Sequence, residues 1–378
     1  MILALYLAAL GLKAAAIGLA ISVGLAGAAL GTLIVTYAAD RLGRRAILAT
    51  IAFLMGVGGL ALASAAHPHL LMVSLFIGMV NGMGRDRGPS MTVEQSILPQ
   101  TATPTTRTGV FAWYNVVIDG GHALGALLGG LPAFFRSALH LPPVASYQWT
   151  WAMYSACCLL AGWLVLQLSR SVELVDIPAR LPLSRKSRPV VAKFAALQGL
   201  DSLGGGFLTS ALVGYWFFKR FGVTEALLGP LFFVVRILNG LSHLGAAWLA
   251  KRIGLVNTMV WTHLPSSVLL MTVPIAPSLS VAITLFLIRE ALVEMDVPTR
   301  QSYLVAVVQD EERTRAAGIA NLTRGVAWAV APSVAGPLMQ SVSISAPLLI
   351  GPGLKVIYDF LLYRTFRHLR PPEECSGA

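Results

Sequence analysis

Two stretches of this sequence place ionisable residues where apolar ones predominate. Gly84-Arg85-Asp86-Arg87-Gly88-Pro89, followed by Glu94-Gln95-Ser96, sets four charges near the middle of the run from Leu70 to Gln100. A second run, 279–307, holds Arg289, Glu290, Glu294, Asp296 and Arg300. A charge near a bilayer centre costs about 2.5–3.5 kcal/mol even on the lenient insertion scale, so such residues are kept mainly where they face a polar cavity or one another. Arg87 and Glu94, seven apart, share a helix face; Arg289, Asp296 and Arg300 form one stripe, and Glu290 and Glu294 are an i,i+4 pair. Neighbouring carboxylates repel when both are ionised, and a carboxyl in that position can take up and release a proton. The arginines could bind an anionic group or hold the acids. Fixed ion pairing, for instance Arg289 with Glu290 or Glu294, is the structural alternative. Asp201, just before Gly204-Gly205-Gly206 where a helix would loosen, is a further candidate proton or cation site. Asp119, His122, Arg236, His243 and Arg324 also fall within apolar runs, and Lys355 and Asp359 have the spacing of a structural i,i+4 pair.

The elements that must position these residues follow from composition. Of 378 residues, 56% are hydrophobic and only 12% charged. Soluble domains carry about 25% charged residues, so this chain is expected to be an all-α polytopic membrane protein. Apolar runs of spanning length fall at 14–36, 47–66, 70–100, 108–135, 149–169, 191–218, 224–250, 254–276, 279–307, 316–342 and 344–363. That gives eleven complete helices and a partial first one, with Met1 expected inside a first helix whose beginning lies outside this sequence. A signal peptide is the alternative, but the start lacks a basic segment.

The net charge of +11 does not indicate nucleic acid, because the basic residues fall in alternate short loops. One side holds Arg41, Arg44, Arg45, Arg107, Arg170 to Lys193, Lys251, Arg252, Arg313, Arg315, Arg364, Arg367 and Arg370; the other holds Lys13, Arg136, Lys219 and Arg220. By the positive-inside rule the first side is cytoplasmic, as both termini of the complete protein would be. The expected organisation is a first helical bundle (1–169), a cytoplasmic linker (170–190), a second bundle (191–366) and a cytoplasmic tail (367–378). At an offset of 206 the halves repeat: Gln95 and Gln301, Ser96 and Ser302, Leu98 and Leu304, Arg107 and Arg313, Thr108 and Thr314, Asn115 and Asn321, Gly130 and Gly336. Parallel repeats of this kind place a site between the halves near the midplane. There Glu94 falls on Arg300, a combination able to form a salt bridge between the bundles.

The loop Asp40-Arg41-Leu42-Gly43-Arg44-Arg45 resembles the signature of the major facilitator superfamily, Gly-x-x-x-Asp-Arg-x-Gly-Arg-Arg/Lys, with Thr36 in place of the first glycine. Gly43 suits the tight turn, and the charges could lock helix ends at an inner gate. The second-half copy, Lys251-Arg252-Ile253-Gly254, lacks the acid. Gly121, Gly125, Gly129 and Gly130 resemble the antiporter motif of drug–proton exchangers, with Ala126 where proline is expected; the repeat copy keeps Pro332 and Gly336. Small residues every fourth position also simply let helices approach. Bacterial members resemble the stretch Met-Asp-Val-Pro-Thr-Arg-Gln-Ser-Tyr at 295–303.

What the resemblance implies is two six-helix bundles, the first helix truncated here, with the first, fourth, seventh and tenth helices lining a cavity. It implies a monomer in a bacterial inner membrane that exports a small solute against protons, with lipid and solute as partners. Uptake or facilitated passage is the second reading, and a non-transporting membrane protein or truncated relic the third. No phosphate loop, nucleophile elbow or metalloprotease motif occurs, so an enzyme is not expected. No cofactor beyond the proton is expected. Three cysteines, two of them adjacent (Cys157, Cys158), give no metal or disulfide spacing, and His67-Pro68-His69 alone is weak as a metal site.

Overall fold

In hydrocarbon every backbone N–H and C=O must find its partner within the chain, and a helix does this with its own residues. The apolar runs accordingly fold as helices, with no strand among the described residues. The computed structural model describes residues 1–64, 67–83, 89–97, 107–169, 172–173, 184–297, 299–300, 303 and 313–367. In chain order the helices are α1 (Ile2–Ala9), α2 (Ala14–Leu42), α3 (Arg44–Ser64), α4 (Pro68–Ile77), α5 (Pro89–Ile97), α6 (Arg107–Leu128), α7 (Leu131–Leu139), α8 (Pro143–Leu166), α9 (Ser187–Gly206), α10 (Ser210–Phe221), α11 (Glu225–Ile253), α12 (Leu255–Thr272), α13 (Leu279–Val293), α14 (Arg313–Ser341) and α15 (Pro347–Phe366). Helix starts recur 204–211 residues later: Ala14 and Glu225, Arg44 and Leu255, Pro68 and Leu279, Arg107 and Arg313, Pro143 and Pro347. The repeat read from side chains is thus also a repeat of helix boundaries.

Several expected spans are interrupted: the seventh after Gly204-Gly205-Gly206, where loosening is expected, and the span expected at 108–135 at Gly129-Gly130, while the breaks in the fourth and tenth correct the sequence reading. Among the described residues five helical stretches are long and apolar enough to cross a membrane, at 14–36, 44–64, 116–139, 143–166 and 225–250, the third of them running over the turn at Gly129-Gly130 between α6 and α7. The fourth span stops at Ile77, turns through Met79 at a φ of 52°, and resumes at Pro89. Gly78, Gly82 and a proline that has no N–H to donate explain the stop. The seventh breaks at 207–209, directly after Gly204-Gly205-Gly206, and Thr209 Oγ1 caps the new helix by accepting from Leu212 N at 3.2 Å. The tenth ends at Val293, turns at 294–295 and is helical again at 296–297 and 299–300.

Helices approach where side chains vanish. α2 runs along α14, α3 along α8, α6 along α11, α9 along α14 and α12 along α15. A methyl group on Gly18 would fall 2.2 Å from Pro332 O and 2.8 Å from Gly336 Cα, so α2 and α14 touch backbone to backbone. Gly58 and Gly78 make the same contact inside the first half, where a methyl on Gly58 would sit 2.5 Å from Gly78 Cα. Gly58→Leu is therefore expected to cost about 1–3 kcal/mol or more through overpacking, read as a lowered melting temperature of the purified protein. Val57→Leu, at a position 42% exposed on the same helix, serves as the control. One apolar core, including Tyr6, Ile17, Trp151, Trp216, Phe217, Leu228 and Phe286, draws on helices of both halves.

Candidate functional site

The breaks in the fourth and seventh spans meet. Ala211 N donates to Gly82 O at 3.0 Å, and Ser210 Oγ donates to Met83 O at 3.3 Å. Irregular backbone at membrane depth persists where it is buried in protein or lines a cavity, and broken helices are where carriers build their sites. From this junction a polar chain enters the second half. Arg236 Nη2 donates to Ser210 Oγ and Arg236 Nη1 to Asn239 Oδ1, both at 3.3 Å. Asn239 Nδ2 donates to the Glu290 backbone O (2.9 Å) and to its Oε2 (3.1 Å), and Arg289 holds Glu290 Oε1.

A second network is fully buried. Asp201 on α9 accepts from Arg300 Nη1 at 2.8 Å and from Lys355 Nζ at 2.6 Å, one on each carboxylate oxygen. Arg300 also pairs with Asp296, 3.1 Å away and one helical turn back. Lys355 Nζ lies 3.3 Å from His263 Nε2, and His263 Nδ1 is 2.9 Å from Asp359 Oδ1. All six side chains are less than 9% exposed. They come from α9, α12, α15 and the 296–300 segment, so four chain segments converge on one carboxylate, Asp201.

The chemistry follows from the donors. An ionised carboxylate only accepts, so Nδ1 of His263 carries the hydrogen shared with Asp359. The neutral ring then presents the Nε2 lone pair to the Lys355 ammonium. A proton arriving at Nε2 removes that acceptor and sets two cations face to face, while Asp201 Oδ1 lies only 3.7 Å from Nε2. Taking a proton thus exchanges the Lys355–His263 contact for a His263–Asp201 one. In direct contact the network has three carboxylates (Asp201, Asp296, Asp359) and two fixed cations (Arg300, Lys355), and one proton on His263 balances it.

The sequence-selected residues divide. Asp201, Asp296 and Arg300 are brought together, and Arg289 with Glu290. Arg85, Asp86 and Arg87 lie outside the described residues, as do the side chains of Asp40, Arg41, Gln95 and Ser96. Glu94 accepts from Tyr114 Oη at 2.7 Å. Its cross-bundle pair with Arg300 is not formed, because Asp201 and Asp296 already occupy the guanidinium. Nor do Lys355 and Asp359 pair with each other: both turn to partners on α9 and α12. Glu290 is neutralised by Arg289 rather than set against Glu294, which lies in the turn that ends α13.

At one end of the molecule Gly43 adopts a φ of 92° and its repeat counterpart Gly254 a φ of 84°. The N–H groups of Arg44 and Arg45 donate to the Glu173 carboxylate at 2.6 and 3.1 Å, so Glu173 caps α3. Arg45 Nη2 reaches Leu166 O. Of the glycine stripe, a methyl on Gly121 or Gly125 would meet nothing within 4 Å, whereas Gly129 and Gly130 abut Met1 and Glu225. The close helix seam expected along the whole stripe is therefore confined to its end, and Gly336 with Pro332 makes the tighter one, against α2.

His263 was not singled out by the sequence: it is a lone polar residue in an apolar run, and its partners lie 92 and 96 residues away. Glu173, Glu225, Asn239 and Tyr114 were missed for the same reason. The spacing of Lys355 and Asp359 was the available signal, and it named the right residues with the wrong partners.

Comparison with known proteins agrees with this architecture. An uncharacterized membrane protein of Saccharomyces cerevisiae, YJR124C, is 25% identical over 395 residues, covering 96% of this chain and 88% of its own. The human organic anion transporter MFSD10 (TETRAN) superposes with a TM-score of 0.61 at 18% identity, over 92% of this chain and 83% of that one. The partially occluded inward-open xylose transporter XylE from E. coli gives 0.73 at 14% identity, over 93% and 88%. The family model described as Major Facilitator Superfamily matches residues 1–332, and the chain belongs to that superfamily of membrane transporters.

Proposed function

We propose that this chain is a proton-coupled carrier of a small solute, working by alternating access, with the coupling proton carried by the Asp201–His263–Asp359 network. The observation that supports this most is the buried imidazole between a carboxylate and an ammonium, an arrangement that changes partners when one proton is added. Arg300 ties Asp201 to the broken tenth span, so a change at Asp201 reaches a helix that the family's architecture sets against the cavity. Export against entering protons is the direction we carry forward from the Gly121 to Gly130 pattern. The proposed setting is a bacterial inner membrane, with the protein as a monomer in two bundles joined by the 170–190 linker.

The test begins with a thermal-shift screen of the purified full chain against solute classes at two pH values. Proteoliposomes containing a pH-sensitive dye then report proton movement when a stabilising solute is added on either side. Wild type is expected to move protons in exchange for the solute, and the side of addition that evokes the signal reads the direction. His263→Gln is expected to keep solute binding and lose most of the solute-dependent proton signal. An unchanged signal in both His263→Gln and Asp359→Asn would sink the proton route.

A further inference from the structure

Arg324 is charged and deep in the membrane. It sits eleven residues into α14, about 16 Å from the helix start at 1.5 Å per residue, in a hydrocarbon layer about 30 Å thick. Every other cation of the second-half networks has an acceptor: Arg300 and Lys355 have Asp201, Arg289 has Glu290, and Arg236 has Ser210 and Asn239. Arg324 has none among the described residues. Its Nε is buried without a partner, and its Cζ rests 4.6 Å from the ring centre of Trp328, one turn along. Asp201, Asp296 and Glu294 attract it and the like charge of Arg300 opposes them, but none of the three carboxylates makes a hydrogen bond or ion pair with it among the described residues.

The direction it faces follows from the helix. Gly325 abuts Ala29 of α2, and Pro332 and Gly336 abut Gly18 of α2; Thr323 abuts Gly199 and Ala331 abuts Gly206, both of α9. At about 100° per residue, Arg324 and Trp328 occupy the arc between those two faces. α2 belongs to the first half and α9 to the second, so this arc looks into the seam between halves. The broken fourth and seventh spans meet along the same boundary. Arg324 remains part-exposed there, not sealed away.

A guanidinium with no acceptor among the described residues at this depth fits an acceptor that arrives with the solute. We propose that Arg324 is the anion-recognition residue of this carrier and that its substrate is a small organic carboxylate, its oxygens bound by the fork of the guanidinium while Trp328 fixes the guanidinium plane. The fork is what makes Arg suited to the task, since it offers a carboxylate two parallel N–H donors. The inference rests on the carrier reading and gives it a substrate class.

The test uses full-length protein in nanodiscs and measures binding of benzoate, lactate and citrate by intrinsic tryptophan fluorescence and thermal shift. Benzamide and lactamide serve as neutral counterparts and inorganic phosphate as a different anion. At least one carboxylate is expected to bind saturably while its amide does not. Arg324→Gln is expected to weaken that Kd at least about tenfold, the loss typical of a charge-assisted pair, with Arg324→Lys in between. Arg324→Gln should keep the melting temperature of wild type, because no protein acceptor loses its partner. Absence of carboxylate binding in wild type, equal affinity in Arg324→Gln, or equal binding of the amides would overturn the proposal, and preference for phosphate would reassign the anion. Binding at one pH does not depend on coupling, so these outcomes are separate from the proton signal that tests the carrier mechanism.

Discussion

Asp201→Asn is expected to destabilise the protein by about 3–5 kcal/mol, the usual consequence of removing one partner of a buried ion pair, and to abolish solute-dependent proton movement. The geometry says where the cost arises. Arg300 keeps Asp296 at 3.1 Å when Asp201 is neutralised. Lys355 keeps only the His263 ring nitrogen at 3.3 Å, so its ammonium is the stranded charge. Removing that charge as well, in Asp201→Asn with Lys355→Met, should therefore recover more than half of the lost stability. Transport should not return, because His263 then has neither of the two partners between which a proton would switch it. Melting temperatures of the two variants in one detergent, with proton flux in proteoliposomes, check both halves of the expectation. A double variant no more stable than the single would move the cost away from Lys355.

The asymmetry between stability and coupling also explains why the sequence read the architecture well and the site only in part. Helix number, the repeat and the glycine at the inner turn are local properties: hydropathy over about twenty residues, an offset, a positive φ at Gly43. The first and last are written in neighbouring residues, and the repeat needs only one constant offset. The site is written in partnerships between residues 92 to 154 apart, such as Lys355 with Asp201. Asp201, Asp296 and Arg300 were legible because a charge in an apolar run stands out by itself. Their pairing was not, and the expected Glu94–Arg300 bridge failed because two closer carboxylates on Arg300's own half compete for the same guanidinium. For Glu290 the alternative read from the sequence, pairing with Arg289, is the one formed, and Asn239, 51 residues away, is the partner the sequence did not offer. The breaks in the fourth and tenth spans were missed because hydropathy, averaged over about twenty residues, stays apolar across a local interruption of the helix.

The second large effect concerns the end of the molecule opposite the Glu173 cap. Glu225, 2% exposed in the first turn of α11, receives Arg136 from the end of α7 and Tyr147 Oη from α8 at 3.2 Å. Arg136 Nη1 also donates to Ser146 Oγ at 3.1 Å. α7 and α8 belong to the first half and α11 to the second, so this cluster fastens the halves together. The same end is sealed by the Gly18–Gly336 contact and by Gln340 Oε1, which accepts from Ala15 N at 3.2 Å. The positive-inside rule predicts this to be the outer face, and the alternating access proposed above requires that it part. Glu225→Gln keeps the shape and weakens a charged hydrogen-bonded cluster worth about 1.5–3 kcal/mol per bond. The outward-open population should rise by about tenfold or more. Leu228, fully buried one turn along α11, reports the opening: in a background without Cys157, Cys158 and Cys375, Leu228→Cys should react with a membrane-impermeant maleimide faster when Glu225 is Gln. Exchanging the charges, Arg136→Glu with Glu225→Arg, should slow it again, since the attraction between the halves is restored with its sign reversed. Equal labelling rates in all three backgrounds would leave the seal to the glycine contact alone.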